Sequence, residues 1–495
     1  MRLVAGEALT RFTVSAPHNE RFAEFFTGEA RDEAMDYHFA NGKGPAEDSF
    51  CRRIFRRDVA LREVLPGRAL PPAAVTYTGA SDTVTFSGVQ PVATRSQRWL
   101  RVTLYAENAG YYPFQIATCG GVRLWCNGLP VACFTPFTRN TQQTLSIEVA
   151  LQPGDNALLI HLDELFERDT LFTFQMTYLG DVPLEATLPG VRQADVEALE
   201  AFMDSLPATA VTHHLQLTLP CKADISLALS GAIYSLGNDC IATCALDFGT
   251  VTTGKNGLTL SLPEQIGMGH YRVELTASLD GVTMSRSLSV TVLTDECLPG
   301  SEGVLESRKR EALSYIARHG VPRTGRLLAM LHVDEHGPQA QELLITTLQR
   351  ISARQDCSDF SMVPLLWIWH DFHGEYFPAV LWKRVRSAIV GYRYWYDELG
   401  NDVMWFWSEN HALCFHVAQY LAGQMFPDEL FTASCRRGRE QQAIANQRLH
   451  TWFDAVEQQG FVEWNSAPYY PVDYIGLFAL YQLADDATLR QRAQH

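Results

Sequence analysis

The sequence predicts a multidomain fold in which two β-sandwiches precede a helical domain. Its 495 residues allow about three domains at roughly 150 residues each. From Val75 to Leu293, short segments alternate apolar and polar residues, as half-buried strands do. From Leu305 onward, apolar residues instead recur every three or four positions, which is the period of a helix face.

The N-terminal half divides at the changes in this pattern. Residues 1–74 have mixed composition and receive no fold assignment. The first sandwich is predicted over 75–185, where Gly, Asn and Pro separate strand-like segments. Within it, Asn127-Gly128 joins two such segments, and this dipeptide readily adopts the positive φ angles of a tight hairpin. A hairpin is therefore expected at this position.

A connecting helix and a second sandwich follow. Residues 186–209 are predicted as a linker helix because Val196, Leu199 and Phe202 are three apart among acidic neighbours. Residues 210–295 contain plain period-two strands and are short enough for one immunoglobulin-like sandwich. Residues 300–495 form the third domain, where Gly and Pro separate seven or eight predicted helices.

Composition and charge exclude several classes of partner. The chain has 40 Lys and Arg against 56 Asp and Glu, a net charge of −16, so nucleic acid is not an expected partner. No apolar segment approaches the roughly 18 residues that span a bilayer, so no membrane association is expected. No secretory signal is visible, which predicts a cytoplasmic location. The 11 cysteines include no zinc-type pair, so neither a metal nor a cofactor is expected.

The helical domain is rich in aromatic and histidine side chains. Eight of the ten tryptophans and nine of the fifteen histidines lie beyond Leu305. A helical core needs fewer such residues to fill its volume, so part of this set is expected to line a cavity. Trp369 and His370 are candidates for that lining. His370 and His373 are three apart, but no third ligand is in register with them, which argues against a metal site.

The densest group of candidate residues opens a predicted helix. Ser408 is expected to cap this helix, which places Glu409, Asn410 and His411 in its first turn. A helical projection puts Glu409 and His416 in one row, so acid, base and carboxylate-binding groups share one side. The alternative is that Ser408 only caps the helix, Glu409 only complements its dipole, and His411 has no functional role.

A second group follows about fifty residues later in a Pro-containing segment. Here tyrosines can stack on sugar rings or exchange protons, and carboxylates can accept bonds from hydroxyls. The alternative is a Pro-broken loop with aromatic residues on its surface. The candidates in this segment are Glu463, Trp464, Tyr469, Tyr470, Asp473 and Tyr474.

Two sets of motifs carry a resemblance to known families. The segment Trp407–His411, followed by 420–424 and 426–428, resembles large uncharacterised bacterial proteins. The helical part of those proteins is similar to the α/α toroid of heparinase II/III-like and alginate lyase enzymes. Segment 460–466 with Tyr469-Tyr470 continues the resemblance. Residues 120–128, with 154–156 and 167–169, are similar to sugar-binding jelly-roll modules.

The resemblance implies both a fold and a chemistry. Residues 75–185 would be a jelly-roll, galactose-binding-like sandwich, and 300–495 an α/α toroid. That toroid is expected to be incomplete, because it has fewer helices than a whole toroid and the sequence ends inside a predicted helix. The implied partner is a polysaccharide or oligosaccharide, and the implied reaction is β-elimination at a uronate.

Residue roles also follow from the resemblance. Asn410 would neutralise the sugar carboxylate, His411 or His416 would be the base, and Tyr469 or Tyr470 the acid. Hydrogen bonds are needed at the carboxylate because the proton beside it becomes acidic only when the developing charge is offset. The residues expected to contact substrate are Trp405, Trp407, Trp369, His370, Glu463, Trp464 and Tyr474.

Two other functions remain open from the sequence. One is glycoside hydrolysis by paired carboxylates, with Glu409 and either Glu463 or Asp473 as acid and base. The other is carbohydrate binding without turnover. Elimination leaves an unsaturated product that absorbs in the near ultraviolet, whereas hydrolysis leaves only a new reducing end, so the two reactions are separable.

Overall fold

The computed structural model describes two compact units, one up to residue 293 and one from residue 303 onward. Strands and helices are numbered below in chain order. No helix among the described residues is both long and apolar enough to cross a bilayer. The described residues are 1–22, 50–60, 62–213, 216–220, 227–235, 240–242, 250–251, 258–262, 266–293, 303–400, 404–406 and 408–495.

The N-terminal unit begins with a sandwich of a nine-stranded and a four-stranded antiparallel sheet. Apolar residues of both sheets, such as Leu100 and Ile160 on one and Phe114 and Met176 on the other, share one core. The larger sheet contains β1 Arg2–Leu3, β2 Thr13–Ser15, β3 His18–Arg21, β4 Pro72–Val75, β6 Gly88–Ala106, β8 Gly121–Cys126, β9 Leu129–Phe134, β11 Gly154–Thr170 and β13 Leu184–Thr187. The smaller contains β5 Val84–Thr85, β7 Gly110–Thr118, β10 Gln143–Leu151 and β12 Thr173–Tyr178.

The structure gives part of the unassigned N-terminal segment a place in this sandwich. Strands β1 to β4 lie within residues 1–75, and β2 and β3 pair with the long strand β6. The predicted hairpin is confirmed between β8 and β9, where Asn127 has φ 51° and Gly128 has φ 81°. The Asn127 amide also donates to Asn156 Oδ1 over 2.9 Å, which ties the turn to β11.

A group of buried ion pairs fixes helix α1, Phe50–Ala60, to the sandwich. Arg52 is fully buried and its guanidinium contacts Glu164 at 2.9 Å and Glu167 at 2.8 Å. It also donates to the carbonyl of Leu165 over 2.7 Å. On β6, Arg95 makes a two-bond contact with Asp163, at 3.0 and 2.6 Å. Each of these buried carboxylates therefore contacts an arginine.

The second half of the N-terminal unit contains a six-stranded and a two-stranded sheet. Helix α2, Gln193–Ser205, lies within the predicted linker and packs onto these sheets through Val196 and Phe202, so it belongs to their core. Strand β14 pairs parallel to β21, and the other pairs are antiparallel. The strands are β14 Thr209–Thr212, β15 Gln216–Leu219, β16 Leu227–Ser235, β17 Cys240–Ala242, β18 Thr250–Val251, β19 Leu258–Ser261, β20 Gly269–Leu279 and β21 Val282–Val292.

The C-terminal unit has nine helices among its described residues and one short strand pair around a single core. The elements are α3 Leu305–His319, α4 Thr324–His332, α5 Pro338–Ser352, α6 Asp359–Phe372, α7 Ala379–Gly391, α8 Glu409–Met425, β22 Leu430–Phe431, β23 Arg436–Arg437, α9 Gly438–Gln459, α10 Tyr470–Leu483 and α11 Ala487–Gln494.

Helix α8 lies at the centre of this unit, and its residues from Asn410 to Gly423 are all buried. Glycines allow its neighbours to approach closely. A Cβ at Gly476 of α10 would lie 2.9 Å from Leu413 Cγ, and one at Gly423 would lie 2.4 Å from the Gly438 carbonyl of α9. Because α8 is covered on all sides, its polar side chains must find partners on several different neighbours.

Candidate functional site

The candidate site lies where helices α6, α8 and α10 begin. Asp359, the first residue of α6, contacts His411 in the first turn of α8. Cys414 Sγ of α8 lies 3.9 Å from the Val472 carbonyl in the first turn of α10. Three helix starts are therefore gathered within the C-terminal unit, and the polar first-turn residues of α6 and α8 meet.

A histidine–aspartate pair forms the buried part of this site. His411 Nδ1 lies 2.8 Å from Asp359 Oδ2, and both side chains are buried. The imidazole also stacks on the Phe360 ring, with 4.5 Å between ring centroids. Burial raises the pKa of Asp359, and the neighbouring His411 opposes that rise. When Nδ1 donates to the carboxylate, the lone pair of Nε2 is the part of the ring that can accept a proton.

Asn410 is held beside this pair by bonds to its carbonyl oxygen. Its Oδ1 accepts from the backbone N–H of His411 over 2.8 Å and from the Ser408 hydroxyl. Ser408 occupies the N-cap position as predicted, but its hydroxyl bonds to Asn410 and makes no capping bond to the backbone. The amino end of the Asn410 amide is therefore the end that can donate to another molecule.

Glu409 fixes the loop that leads to α10. Its two carboxylate oxygens each accept from the Val462 backbone N–H over 3.0 Å, and Oε2 also accepts from Glu463 over 3.4 Å. The Trp452 indole donates to the Glu409 carbonyl over 3.1 Å. These bonds place the predicted loop segment directly against the start of α8.

Two further carboxylates, Glu463 and Asp473, lie within electrostatic range of Glu409. Burial and the charge of Glu409 raise the pKa of Glu463, and His411 opposes the rise. Burial, with the charges of Glu409 and Glu463, raises the pKa of Asp473 to about 7. Asp473 is only 1 % exposed, and neither of its carboxylate oxygens has a hydrogen-bond partner. Glu463 Oε2 is also buried without a partner.

The two predicted acids, Tyr469 and Tyr470, occupy the start of α10. The Tyr470 hydroxyl accepts from the Asn465 backbone N–H over 2.6 Å, so its own hydrogen can be donated elsewhere. Its ring lies against Phe461, with 5.5 Å between centroids. Tyr469 is exposed at the N-cap position. The Tyr470 hydroxyl therefore contacts the loop that Glu409 anchors.

Other predicted site residues lie apart from this group. His416 is buried in the core of α8 against Trp395, at a centroid distance of 4.2 Å. Burial and the charge of Arg448 lower its pKa well below the ordinary value. Trp369 and His370 lie near the opposite end of α6 from Asp359, about 15 Å along the helix at 1.5 Å per residue.

The remaining predicted contacts are distributed over the surface of the unit. Trp464 is 81 % exposed, and Tyr474 is half exposed beside Phe478 on α10. Trp405 is half-buried, and its backbone N–H donates to Asp356 Oδ1 over 3.2 Å. Trp407 lies outside the described residues. The sequence did not identify Asp359 as a site residue, because its only signal there is that of an acidic residue at the start of a helix.

No family model matches the chain, and no curated protein matches it significantly. Solved structures resemble parts of it. A PA14 domain of the antifreeze protein MpAFP is 17% identical over 20% of this chain and 55% of its own, with a TM-score of 0.16. A β-glucuronidase from Parabacteroides merdae is 11% identical over 47% of this chain and 33% of its own, with a TM-score of 0.15.

A third similar structure is a family 35 carbohydrate-binding module from an environmental isolate, 17% identical over 24% of this chain and 84% of its own, with a TM-score of 0.15. Two of these three structures are thus carbohydrate-active or carbohydrate-binding proteins. Similarity this weak carries no functional argument, so the lyase resemblance stays a prediction and the residues themselves must support any function.

Proposed function

We propose that the chain is a carbohydrate-active enzyme whose helical unit cleaves a uronate-containing glycan by β-elimination. The observation that carries the proposal is the buried contact between His411 Nδ1 and Asp359 Oδ2 at 2.8 Å. A carboxylate in this position orients the imidazole and stabilises the imidazolium that forms when Nε2 takes a proton. A general base of this kind is what abstraction of a carbon-bound proton requires.

Each step then has a candidate group. The Asn410 amide would donate to the uronate carboxylate and offset the charge that develops there. His411 Nε2 would remove the proton beside that carboxylate. As the carbon–carbon double bond forms, the glycosidic C–O bond breaks, and Tyr470 or Tyr469 would protonate the leaving oxygen. His416 is left out of the mechanism because it lies in the core against Trp395.

The proposal extends to the domains that surround the site. We propose that the helices from residue 300 onward belong to an α/α toroid. Residues 75–185 would form a jelly-roll sandwich that binds sugar, and 210–295 an immunoglobulin-like one. The shared core of the two N-terminal sheets supports the first sandwich assignment. The gathering of three helix starts around one buried residue, His411, supports the toroid assignment.

The test is a product analysis on a panel of uronate-containing and neutral polysaccharides. Elimination predicts a product that absorbs in the near ultraviolet with uronate glycans, at a rate that falls at least a hundredfold in His411→Ala. New reducing ends without that absorbance would contradict the proposal. Binding that Asn410→Ala retains, with turnover in neither form, would instead identify a carbohydrate-binding protein.

One observation favours hydrolysis as the second candidate. Asp473 has a pKa raised to about 7 and two unpartnered oxygens, which suits a carboxylic acid that donates its proton at neutral pH. Glu409, whose carboxylate accepts from two backbone N–H groups, would act beside it as the base or nucleophile. Hydrolysis predicts that Asp473→Asn removes activity on neutral glycans, and elimination does not require that outcome.

A further inference from the structure

The loop between α9 and α10, residues 460–469, presents two exposed apolar side chains next to the start of α8. Trp464 is 81 % exposed and Val462 is 79 % exposed, the two highest values among the large apolar side chains that the structure describes. Tryptophan is on average a deeply buried residue, so such exposure is unusual. Exposure alone assigns no role, because single apolar residues are common on protein surfaces. The way in which the backbone of this loop is held is the deciding observation.

Hydrogen bonds fix the backbone on both sides of the exposed indole. Before it in the chain, the Glu409 carboxylate accepts from the N–H of Val462, at 3.0 Å to each oxygen, and from the N–H of Glu463 at 3.4 Å. After it, the N–H of Asn465 donates to the Tyr470 hydroxyl over 2.6 Å. Asn465 has φ 55°, a left-handed conformation that asparagine tolerates. The indole therefore stands on a backbone that is anchored at both of its neighbours.

Backbone donors already engage both carboxylate oxygens of Glu409. Hydrogen bonds to an ionised carboxylate are among the stronger ones in proteins, so they suit the anchoring of a loop. Helix α9 fixes Glu409 in turn, because the Trp452 indole donates to its carbonyl over 3.1 Å. A catalytic base needs an oxygen that is free to meet the substrate. The geometry therefore favours a role for Glu409 in holding the loop.

A fixed, exposed indole is suited to an apolar, flat ligand surface such as the face of a sugar ring. Holding the ring in position before the ligand arrives reduces the entropy that binding must overcome. We propose that Glu409 is a positioning residue whose carboxylate fixes loop 460–469 so that Trp464 stacks on a sugar of the bound glycan. The inference rests on the proposed function for the identity of the ligand as a glycan.

A double-mutant cycle on glycan affinity tests whether Glu409 acts through Trp464. Affinities of the whole chain and its variants would be measured by native electrophoresis in gels that contain alginate, polygalacturonate or hyaluronan, which are uronate polysaccharides. We expect Trp464→Ala to weaken binding to at least one of them about tenfold, and Glu409→Ala to weaken it roughly fivefold. The double variant should bind no more weakly than Trp464→Ala alone, because the loop matters only through its indole.

Further variants separate the hydrogen bonds from the charge. Glu409→Gln removes the same charge as Glu409→Ala but keeps one oxygen that can accept from the Val462 N–H, so it should recover part of the lost affinity. Val462→Pro deletes that N–H from the other side and should weaken binding as Glu409→Ala does. It also keeps the test available if Glu409→Ala does not fold. Glu342→Ala, at an exposed position on α5, removes the same charge elsewhere and is the matched control.

Independent effects of Glu409→Ala and Trp464→Ala, which multiply in the double variant, would overturn the proposal. Unchanged affinity in Trp464→Ala, or binding to none of the polysaccharides, would also overturn it. A rate at saturating glycan that falls at least a hundredfold in both Glu409→Ala and Glu409→Gln would identify a catalytic carboxylate instead. The proposed function fails separately, because it depends on formation of an unsaturated product, which these affinity measurements do not require.

Discussion

Two groups of buried charge in this molecule differ in how the charge is balanced. In the sandwich, Arg52 contacts both Glu164 and Glu167, and Arg95 contacts Asp163. In the helical unit, Glu409, Glu463 and Asp473 lie together without such a partner among the described residues. The balanced charges hold elements together, whereas Glu463 and Asp473 have raised pKa values, chiefly because they are buried, and keep carboxylate oxygens without hydrogen-bond partners. The second pattern is typical of functional sites.

The largest effect is expected at His411. His411→Ala should lower activity by about 10²- to 10⁴-fold, because it removes the general base. The free energy of unfolding should fall by no more than about 2 kcal/mol, since Asp359 can take up a proton once its partner is lost. Turnover of a uronate glycan and denaturant unfolding, measured on one preparation, check both parts.

His416→Ala provides the contrast within the same helix. Its ring packs on Trp395 in the core, so we expect the free energy of unfolding to fall by about 2–4 kcal/mol. The molecules that remain folded should keep their activity. If His411→Ala unfolds the protein instead, His411 has a structural role like that of His416, and the expected contrast between the two histidines is lost.

Arg52→Met should produce the largest loss of stability. It leaves Glu164 and Glu167 buried without their shared arginine, at a cost of about 3–5 kcal/mol in the free energy of unfolding. Thermal or denaturant unfolding measures this. Arg68→Met, at an exposed position shortly after the same helix, is the control and should change stability by less than about 0.5 kcal/mol. Equal effects in the two variants would show that the buried pairs do not fix α1.

Asp359→Asn tests the positioning of His411 and should lower activity about 10- to 100-fold. Its expected signature is a change in the pH–rate profile, because an amide cannot stabilise the imidazolium as a carboxylate does. A stability role alone would leave the shape of that profile unchanged. Asp359→Glu is expected to recover part of the activity, which a packing defect would not predict.

Asp473 should make stability depend on pH in a particular direction. Its pKa is about 7 in the folded state and near 4 when unfolded, so the native state binds the proton more tightly between those values. Stability is therefore expected to fall as pH rises from about 4 to 7. Asp473→Asn should flatten that dependence and raise stability at pH 8 by up to about 4 kcal/mol, because one pKa unit corresponds to about 1.4 kcal/mol. Identical pH dependence in the wild type and the variant would contradict the uncompensated environment of Asp473.

The smallest effect on stability is expected at Trp464, which is 81 % exposed. Trp464→Ala should change the free energy of unfolding by less than about 0.5 kcal/mol. If the side chain stacks on sugar, glycan affinity falls about tenfold in the same variant. A destabilised protein with unchanged glycan binding would mean that Trp464 packs in the fold instead.

Local features of the fold were predictable from the sequence. Asn127-Gly128 and the strands beside it encode their hairpin within a dozen residues, and the structure has that hairpin. The strands of the first 75 residues were not predictable, because β2 and β3 depend on pairing with β6 far along the chain. Short, polar strands of this kind carry little periodic signal of their own.

The candidate site was likewise predictable only in part. Glu409, Asn410 and His411 were predicted to open a helix together, and they do. Asp359 was not found because its contact with His411 spans 52 positions and no motif links the two. The helical projection placed His416 with Glu409, but α8 is covered on all sides, so each polar residue turns to a different neighbour. Burial around a central helix is a tertiary property that periodicity alone does not reveal.

Proton exchange tests the central claim most directly. The whole chain would be incubated with a uronate oligosaccharide in deuterated water, and the proton beside the carboxylate followed by NMR. If His411 is the general base, wild type should deplete that signal through exchange or elimination, and His411→Ala should leave it intact. Cleavage that yields reducing ends while this proton remains in place would contradict a base at His411 and favour hydrolysis by Glu409 and Asp473 instead.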